Sequence, residues 1–342
     1  MLTVIFMTQE KQLRFDNIKS MIGNTPLLEI SLRFKGQMRK IYAKAEYFSL
    51  SGSIKDRVAY YVLKKAYETG QINENDIIAE ATSGNTGIAF SALGRYLGHK
   101  VIIYMPDWMS RERITLMESF GAQVRLVSKE EGGFLGSIQM TEDLAAKGGV
   151  FLPKQFSNSD NTMAHYYSTG EEISQQLKSL GLVADGFVAG VGTGGTVMGV
   201  SKRLKEDNKN MAMFPLEPLN SPTLSTGYKV GKHRIQGISD EFIPDIMDLS
   251  QAHSVVSVDD IDSIIMAQML SKTFGIGVGV SSGANVLGCL MAQERLGSDA
   301  VVATVFADDN KKYLSTDYSH TFEPNENHLT KYIELVGVRA IK

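Results

Sequence analysis

Cysteine is nearly absent: Cys289 is the single one in 342 residues. That excludes an internal disulfide framework and a cysteine-based metal cluster, and no metal site is expected. Cys289 lies in the apolar run Val286–Met291, where a small thiol packs as a hydrophobe rather than serving as a nucleophile. No charge of one sign dominates either. The 35 Lys and Arg against 38 Asp and Glu leave −3, and the basic residues cluster no further than pairs such as Lys64-Lys65. A nucleic-acid footprint needs more than that. No apolar stretch reaches the ~20 residues that cross a bilayer, so no membrane partner is expected. Met1–Met7 is apolar but lacks the length, basic leader and cleavage site of a signal peptide, and reads as a disordered or strand-like extension of a cytoplasmic protein. Fixed-period repeats and low-complexity segments are missing too.

What is present is an ordinary globular balance, 43% hydrophobic and 21% charged residues, in a chain long enough for two cores. Short β-rich runs alternate with helical ones. Strands are expected at 41–46, 77–80, 101–105, 124–128, 186–191, 211–217 and 301–306. Helices are expected at 56–69, 86–97, 111–120, 134–147, 196–205, 259–274 and 284–296. Several of these helices stop at a glycine, such as Gly98 or Gly275. This rhythm predicts an α/β fold of mostly parallel twisted sheets with helices on both faces. Residues 219–250, rich in Pro, Gly and Ser, form a long irregular stretch of the kind that carries function or disorder.

Ligands of open α/β folds bind beyond the carboxyl ends of strands. Three junctions have that placement and an excess of glycine and hydroxyls. Gly192-Thr193-Gly194-Gly195-Thr196 follows a strand and opens a helix, which suits a phosphate held by backbone N–H groups. A plain glycine-rich turn would read the same. The spacing fits neither a nucleoside-triphosphate loop nor a dinucleotide fingerprint. Thr82-Ser83-Gly84-Asn85-Thr86-Gly87 packs three hydroxyls and an amide into one turn, more donors than a helix cap by Asn85 or Ser83 requires, and suits a carboxylate. Ser281-Ser282-Gly283 is the third. Lys55, in Ser53-Ile54-Lys55-Asp56-Arg57 just before a helix, is either a solvated first-turn lysine or one whose ammonium is destabilised for Schiff-base chemistry.

These segments occur in order with Asn24-Thr25-Pro26-Leu27, Gln155-Phe156-Ser157-Asn158, Ile235-Gln236-Gly237-Ile238 and Tyr313-Leu314-Ser315-Thr316. Over about residues 15–320 the chain resembles the cysteine synthase and cystathionine β-synthase family of pyridoxal-5′-phosphate (PLP) enzymes, of the tryptophan-synthase-β fold type. The resemblance implies the cofactor PLP in the cleft between two domains, a small L-amino acid as substrate and a homodimer. It implies that Lys55 joins the cofactor as a Schiff base and that Asn85 contacts the pyridine 3′-oxygen. Gly192, Thr193, Gly194, Gly195 and Thr196 match the phosphate loop, and Ser281 the hydroxyl facing the pyridine nitrogen. Thr82, Ser83, Thr86 and Gln155 match the clamp on the substrate α-carboxylate. A serine cannot keep that nitrogen protonated as an aspartate would, so the ring is a weaker electron sink, suited to β-elimination with Lys55 as the base. The expected division is a smaller, mobile domain over 47–158, a larger one over 12–46 plus 159–330, and terminal extensions at 1–11 and 331–342.

One loop departs from the family. Cysteine synthases usually read Gln-Gly-Ile-Gly-x-Gly-Phe where this chain has Gln236-Gly237-Ile238-Ser239-Asp240-Glu241-Phe242. In the family the loop borders the entrance of the second substrate, which in cysteine synthase is the anion bisulfide. A carboxylate about 4 Å away at an effective dielectric of 20 would oppose it by roughly 4 kcal/mol at most. A third of that is about tenfold in rate. The same carboxylate helps sulfide leave and can deprotonate water. Asp240, with Glu241 second, is therefore expected to be catalytic, and the products from cysteine are expected to be serine and sulfide. Ordinary cysteine synthase and cystathionine-synthase-like β-replacement remain the alternatives, with a solvated turn as the bland reading of the loop. A family member without turnover and a nicotinamide oxidoreductase fit the motifs less well. Asp308-Asp309-Asn310 also departs from the family, where a Ser-Gly-Glu type is commoner, and no role follows from it.

Overall fold

The computed structural model describes residues 7–239 and 241–342. The chain divides into two compact units. Unit 1 consists of Ser49–Ala164 with the segment ending at Gly23, and unit 2 of Asn24–Phe48 with His165–Lys342.

Unit 1 is built on a four-stranded, wholly parallel sheet. Its strands β3 (Ile77–Ala81), β4 (Val101–Pro106), β5 (Gln123–Val127) and β6 (Val150–Phe151) lie in the order β5-β4-β3-β6. The helices are α1 (Gln9–Lys19), α2 (Lys55–Glu68), α3 (Asn85–Tyr96), α4 (Arg111–Ser119), α5 (Gly133–Ala145) and α6 (Ser159–Ala164). In α2 the apolar residues Val58, Val62 and Ala66, with Ala59, Leu63 and Tyr67, recur every fourth position and bury one face in the core. The sequence reading put 12–23 with the other domain. The structure differs because Phe15, 0% exposed, belongs to this core and meets Tyr60 and Tyr67 edge-on. Burying such a ring contributes about 3 kcal/mol, enough to fix which unit a short helix joins.

Unit 2 carries a seven-stranded sheet, in the order β11-β1-β2-β10-β7-β8-β9. The strands are β1 (Leu27–Phe34), β2 (Gln37–Ala45), β7 (Gly186–Gly190), β8 (Ala212–Pro218), β9 (Val256–Val258), β10 (Val302–Phe306) and β11 (Ile333–Ile341). Pairs from β2 to β9 are parallel, whereas β1 runs antiparallel to both β2 and β11. Every residue of β8 and of β10 is buried, as expected for strands covered on both faces. The helices are α7 (Glu171–Ser179), α8 (Gly195–Asp207), the short α9 (Thr223–Thr226), α10 (Asp260–Phe274) and α11 (Val280–Leu296), preceded by a π-helical turn, His165–Gly170. Gly283 lets α10 and α11 touch, since a Cβ there would stand 2.2 Å from the Ser263 carbonyl. The expected extension at 331–342 is instead the edge strand β11, hydrogen-bonded along β1 from Phe34↔Ile333 to Leu27↔Ile341. The expected structure of Met1–Met7 lies, save for Met7, outside the described residues. Among the described residues no helix is long and apolar enough to cross a membrane, and no group of acidic, His or Cys side chains could hold a metal.

Candidate active site

Within unit 1 the predicted residues gather at the carboxyl end of β3 and at the start of two helices. Lys55 is the first residue of α2 and is partly exposed. Its neighbours are fixed. Asp56, 2% exposed, accepts the Ser51 N–H at 2.8 Å and the Ser51 hydroxyl at 2.5 Å, which folds the chain before Lys55 into a closed turn. The Thr82–Gly87 loop joins β3 to α3. The helix begins after Gly84, and no side chain caps it, so the plain reading of the loop as a helix cap by Asn85 or Ser83 does not hold. The start of a helix favours an anion, because the first-turn N–H groups have no intrahelical acceptor. The Thr82 hydroxyl accepts the Gly84 N–H at 3.1 Å, and Gly87 is held to glycine because a Cβ would lie 2.7 Å from the Thr82 methyl and 2.8 Å from Met117 Sδ. Gln155 is brought in from beyond β6. Its Oε1 accepts the Thr86 hydroxyl at 2.6 Å, its Nε2 donates to the Ala81 carbonyl at 2.9 Å, and its own carbonyl accepts from Asn161 at 2.8 Å. A side-chain amide has two N–H donors, so one remains for a ligand.

Within unit 2 the residues gather at the carboxyl end of β7. The chain turns at Gly194, φ +86°, and α8 starts at Gly195 with no side-chain cap. Gly192 lies against another loop: a Cβ there would be 2.4 Å from the Gly237 carbonyl. Glycines at a helix start, with the Gly195 N–H donated to the Thr193 hydroxyl at 3.3 Å, make a cradle that a phosphate fits. The Thr196 hydroxyl lies 3.2 Å from His165 Nε2, and His165 Nδ1 lies 3.0 Å from the Thr169 hydroxyl. If Thr169 donates to Nδ1, the Nε2–H donates to Thr196, and the Thr196 proton is left for an anion. Sequence reading missed His165. The π-helical turn that aims it has no pattern in the residues, although such turns recur at functional sites. Ser281 is the second residue of α11, 6% exposed, and α11 is tied to β7 by Asn285, which accepts the Gly190 N–H at 2.9 Å.

The departing loop sits against this cradle. Ser239 has φ +55°, a left-handed conformation uncommon for serine. Four bonds hold it there. Its N–H donates to the Val191 carbonyl at 2.8 Å and its carbonyl accepts from His233 Nε2 at 3.1 Å. Its hydroxyl meets the Ser221 carbonyl at 2.9 Å and the Thr223 hydroxyl at 3.0 Å. Burial holds the His233 pKa below its ordinary value, which keeps this imidazole neutral. Asp240 lies outside the described residues. Glu241 is half-exposed and paired with Lys229 at 3.2 Å.

The sequence profile of the pyridoxal-phosphate dependent enzymes matches residues 18–308. The chain belongs to that family. This PLP enzyme is 39% identical over 302 residues to a cysteine synthase B of Campylobacter jejuni, covering 88% of this chain and 98% of the relative. It is 37% identical over 301 residues to a cysteine synthase of Staphylococcus aureus, covering 88% and 96%. Among solved structures it is similar to a hydrogen sulfide-producing enzyme of Fusobacterium nucleatum, with 58% identity, a TM-score of 0.93, and 96% and 99% of the two chains covered. An Asp-to-Asn variant of that neighbour has been solved with an α-aminoacrylate intermediate. The PLP enzyme described here thus acts at the β-carbon of an amino acid, in β-replacement or elimination of sulfur amino-acid metabolism.

Ser83→Ala removes a single hydroxyl beside the first turn of α3 and should weaken amino-acid binding by about 1.5–3 kcal/mol, roughly ten- to hundredfold in Kd, while PLP affinity stays unchanged. Gln155→Ala should do the same with an added structural loss, because its bonds to Thr86 and Ala81 go too. Spectral titration separates the two ligands, and loss of PLP first would mean that these residues hold the cofactor instead.

Proposed function

We propose that the chain converts L-cysteine and water to L-serine and hydrogen sulfide. The observation that carries this reading is the acidic stretch Ser239-Asp240-Glu241, joined through the Ser239 N–H to Val191, immediately before the Gly192–Thr196 cradle. Small neutral residues stand there in cysteine synthases. The neighbour at 58% identity, named for hydrogen sulfide production, supports the same reading.

When bound, PLP withdraws electrons from the α-carbon and so loosens the α-proton and the β-substituent. In this reading Gly192, Thr193, Gly194, Gly195 and Thr196 hold the phosphate with backbone N–H groups and hydroxyls. Asn85 would hold the 3′-oxygen and Ser281 would lie by the pyridine nitrogen, without giving it a permanent proton. Thr82, Ser83, Thr86 and Gln155 fix the α-carboxylate at the start of α3. Lys55 Nζ takes the α-proton. Asp240 takes a proton from water as its oxygen adds to the β-carbon, and repels bisulfide from the same position. Glu241, its charge offset by Lys229, is the weaker candidate for that proton.

Cysteine synthesis from an O-acylated serine and sulfide is the second reading, favoured by the relatives at 37–39% identity. Product analysis decides. L-cysteine alone in oxygen-18 water should give labelled serine and one equivalent of sulfide. Pyruvate as the main product, or no sulfide without an added acceptor, overturns the proposal. The family resemblance also supports a homodimer, which sedimentation tests, and a cytoplasmic location.

A further inference from the structure

Glu80 is a buried acid that the chemistry above does not use. It is the fourth residue of β3, two before Thr82, and 5% exposed. Its Oε1 accepts the Ala81 N–H at 3.2 Å, and its Oε2 has no hydrogen-bond partner. Burial pushes its pKa up to about 8, against the pull of the Gln155, Ala81 and Lys154 backbone N–H groups and of the Lys154 ammonium. Lys154 has φ +52°, a conformation that a lysine keeps only where its surroundings hold it. The next residue, Gln155, is bonded to Thr86 and Ala81. The acid thus reaches the Thr82–Gly87 loop along its own strand and through Ala81, whose N–H it accepts and whose carbonyl takes the Gln155 side chain at 2.9 Å.

We propose that Glu80 is a positioning residue of the amino-acid carboxylate site: as a neutral acid it sets Gln155 against Thr86 and leaves the loop able to take an anion, and on losing its proton to solvent it opposes that anion from behind. This rests on the reading of Thr82–Gly87 and Gln155 as the carboxylate clamp. The charged groups on the surrounding elements are few. Lys154, after β6, is the one that acts on Glu80. On β4 the partner across the ladder is Ile103, followed by Tyr104. On α5, Glu142 and Asp143 point to solvent, and on α3 Arg95 is at the far end, bonded to the His99 carbonyl at 2.8 Å.

The test compares the wild-type holoenzyme with Glu80→Gln, an isosteric group that cannot ionise. The probe is L-alanine, which has no β-leaving group, and its binding is followed by calorimetry. The wild-type to variant Kd ratio should stay near one at about pH 6 and rise about tenfold by about pH 9, the factor that one unit of mutual pKa perturbation carries. A role confined to packing would give a pH-independent ratio, which overturns the proposal. Thermal melting supplies a second readout. A carboxyl whose folded pKa is raised keeps a proton that the unfolded chain releases, so wild-type stability falls as pH rises from about 4.5 to about 8 and stays low above. The Tm advantage of Glu80→Gln should grow across that window and then level off. Should the variant fail to fold, infrared spectra of the wild type decide. A protonated-carboxyl band should vanish through about pH 8 and return on adding L-alanine, and a band already gone at about pH 6 overturns the proposal. Ser83→Ala separates this inference from the reading beneath it. If Ser83→Ala leaves L-alanine binding unchanged at every pH, the clamp itself is misread. If it weakens binding while Glu80→Gln stays flat, only the role of Glu80 falls.

Discussion

Lys55→Ala is expected to leave a folded protein without turnover, its rate lowered by at least about a thousandfold. Two losses combine. The cofactor loses its covalent tether and the absorption that a protein-bound Schiff base gives, and the α-proton loses its acceptor. The fold should survive because Lys55 is a partly exposed first-turn residue, alanine is the best helix former, and Asp56 and Ser51 close the turn before it. PLP should still bind, through the cradle at the start of α8, with lower affinity. Absorption spectra, equilibrium dialysis of PLP and a thermal melt together check this. Unchanged activity would exclude Lys55 as the Schiff-base lysine, and a collapsed melt would show it to be structural.

Asp240→Asn carries the second large effect. The substitution keeps the size and removes the charge, so serine formation from cysteine should slow about 100- to 10,000-fold, the usual worth of a general base. Sulfide release in the first turnover should persist, because it precedes water addition. The enzyme should then accumulate in the unsaturated state left after sulfide departs, the state in which an Asp-to-Asn variant of the Fusobacterium neighbour was captured. Added sulfide should be taken up more readily than by wild type, since the opposing charge is gone. Rapid-mixing absorption and sulfide release give both rates. Glu241→Gln is the control. With Lys229 3.2 Å away and both side chains partly in solvent, its effect should stay within a few fold. If Asn at 240 leaves serine production untouched, the loop is a solvated turn and the cysteine synthase reading gains.

The central strands and helices of both units were legible, because parallel strands and their crossover helices speak in local patterns, whereas α1, β6 and α6 of unit 1 were not foreseen. Apolar runs such as Val302–Phe306 and four-residue spacing such as Val58–Val62–Ala66 need no knowledge of partners. Helix ends were legible where the backbone itself demands glycine, as at Gly275, φ +70°. The antiparallel edge was harder. Leu28, Ile30, Leu32 and Phe34 do alternate with polar residues, but the partner strand, β11, lies some 300 residues on and shows only a weak alternation. The site divided in the same way. Glycine loops and a lysine at a helix start are contiguous signals. His165 on Thr196, and Glu80 behind Gln155, are meetings of residues distant in the chain, set by a π-helical turn and by a left-handed lysine. The four bonds on Ser239 are of that kind too. Sequence showed that a serine replaces a glycine there, and only the structure shows how it tolerates a glycine's conformation.

Cys289 sits in the core of unit 2, 0% exposed, with burial pushing its thiol pKa upward. Oxidised forms of sulfide, met wherever sulfur amino acids are turned over, convert accessible thiolates to persulfides. Reactivity of that sort needs both an ionised sulfur and a path for the reagent, and this thiol has neither. The folded protein is thereby resistant to poisoning by sulfane sulfur, and only a molecule whose larger core has opened would take up the label.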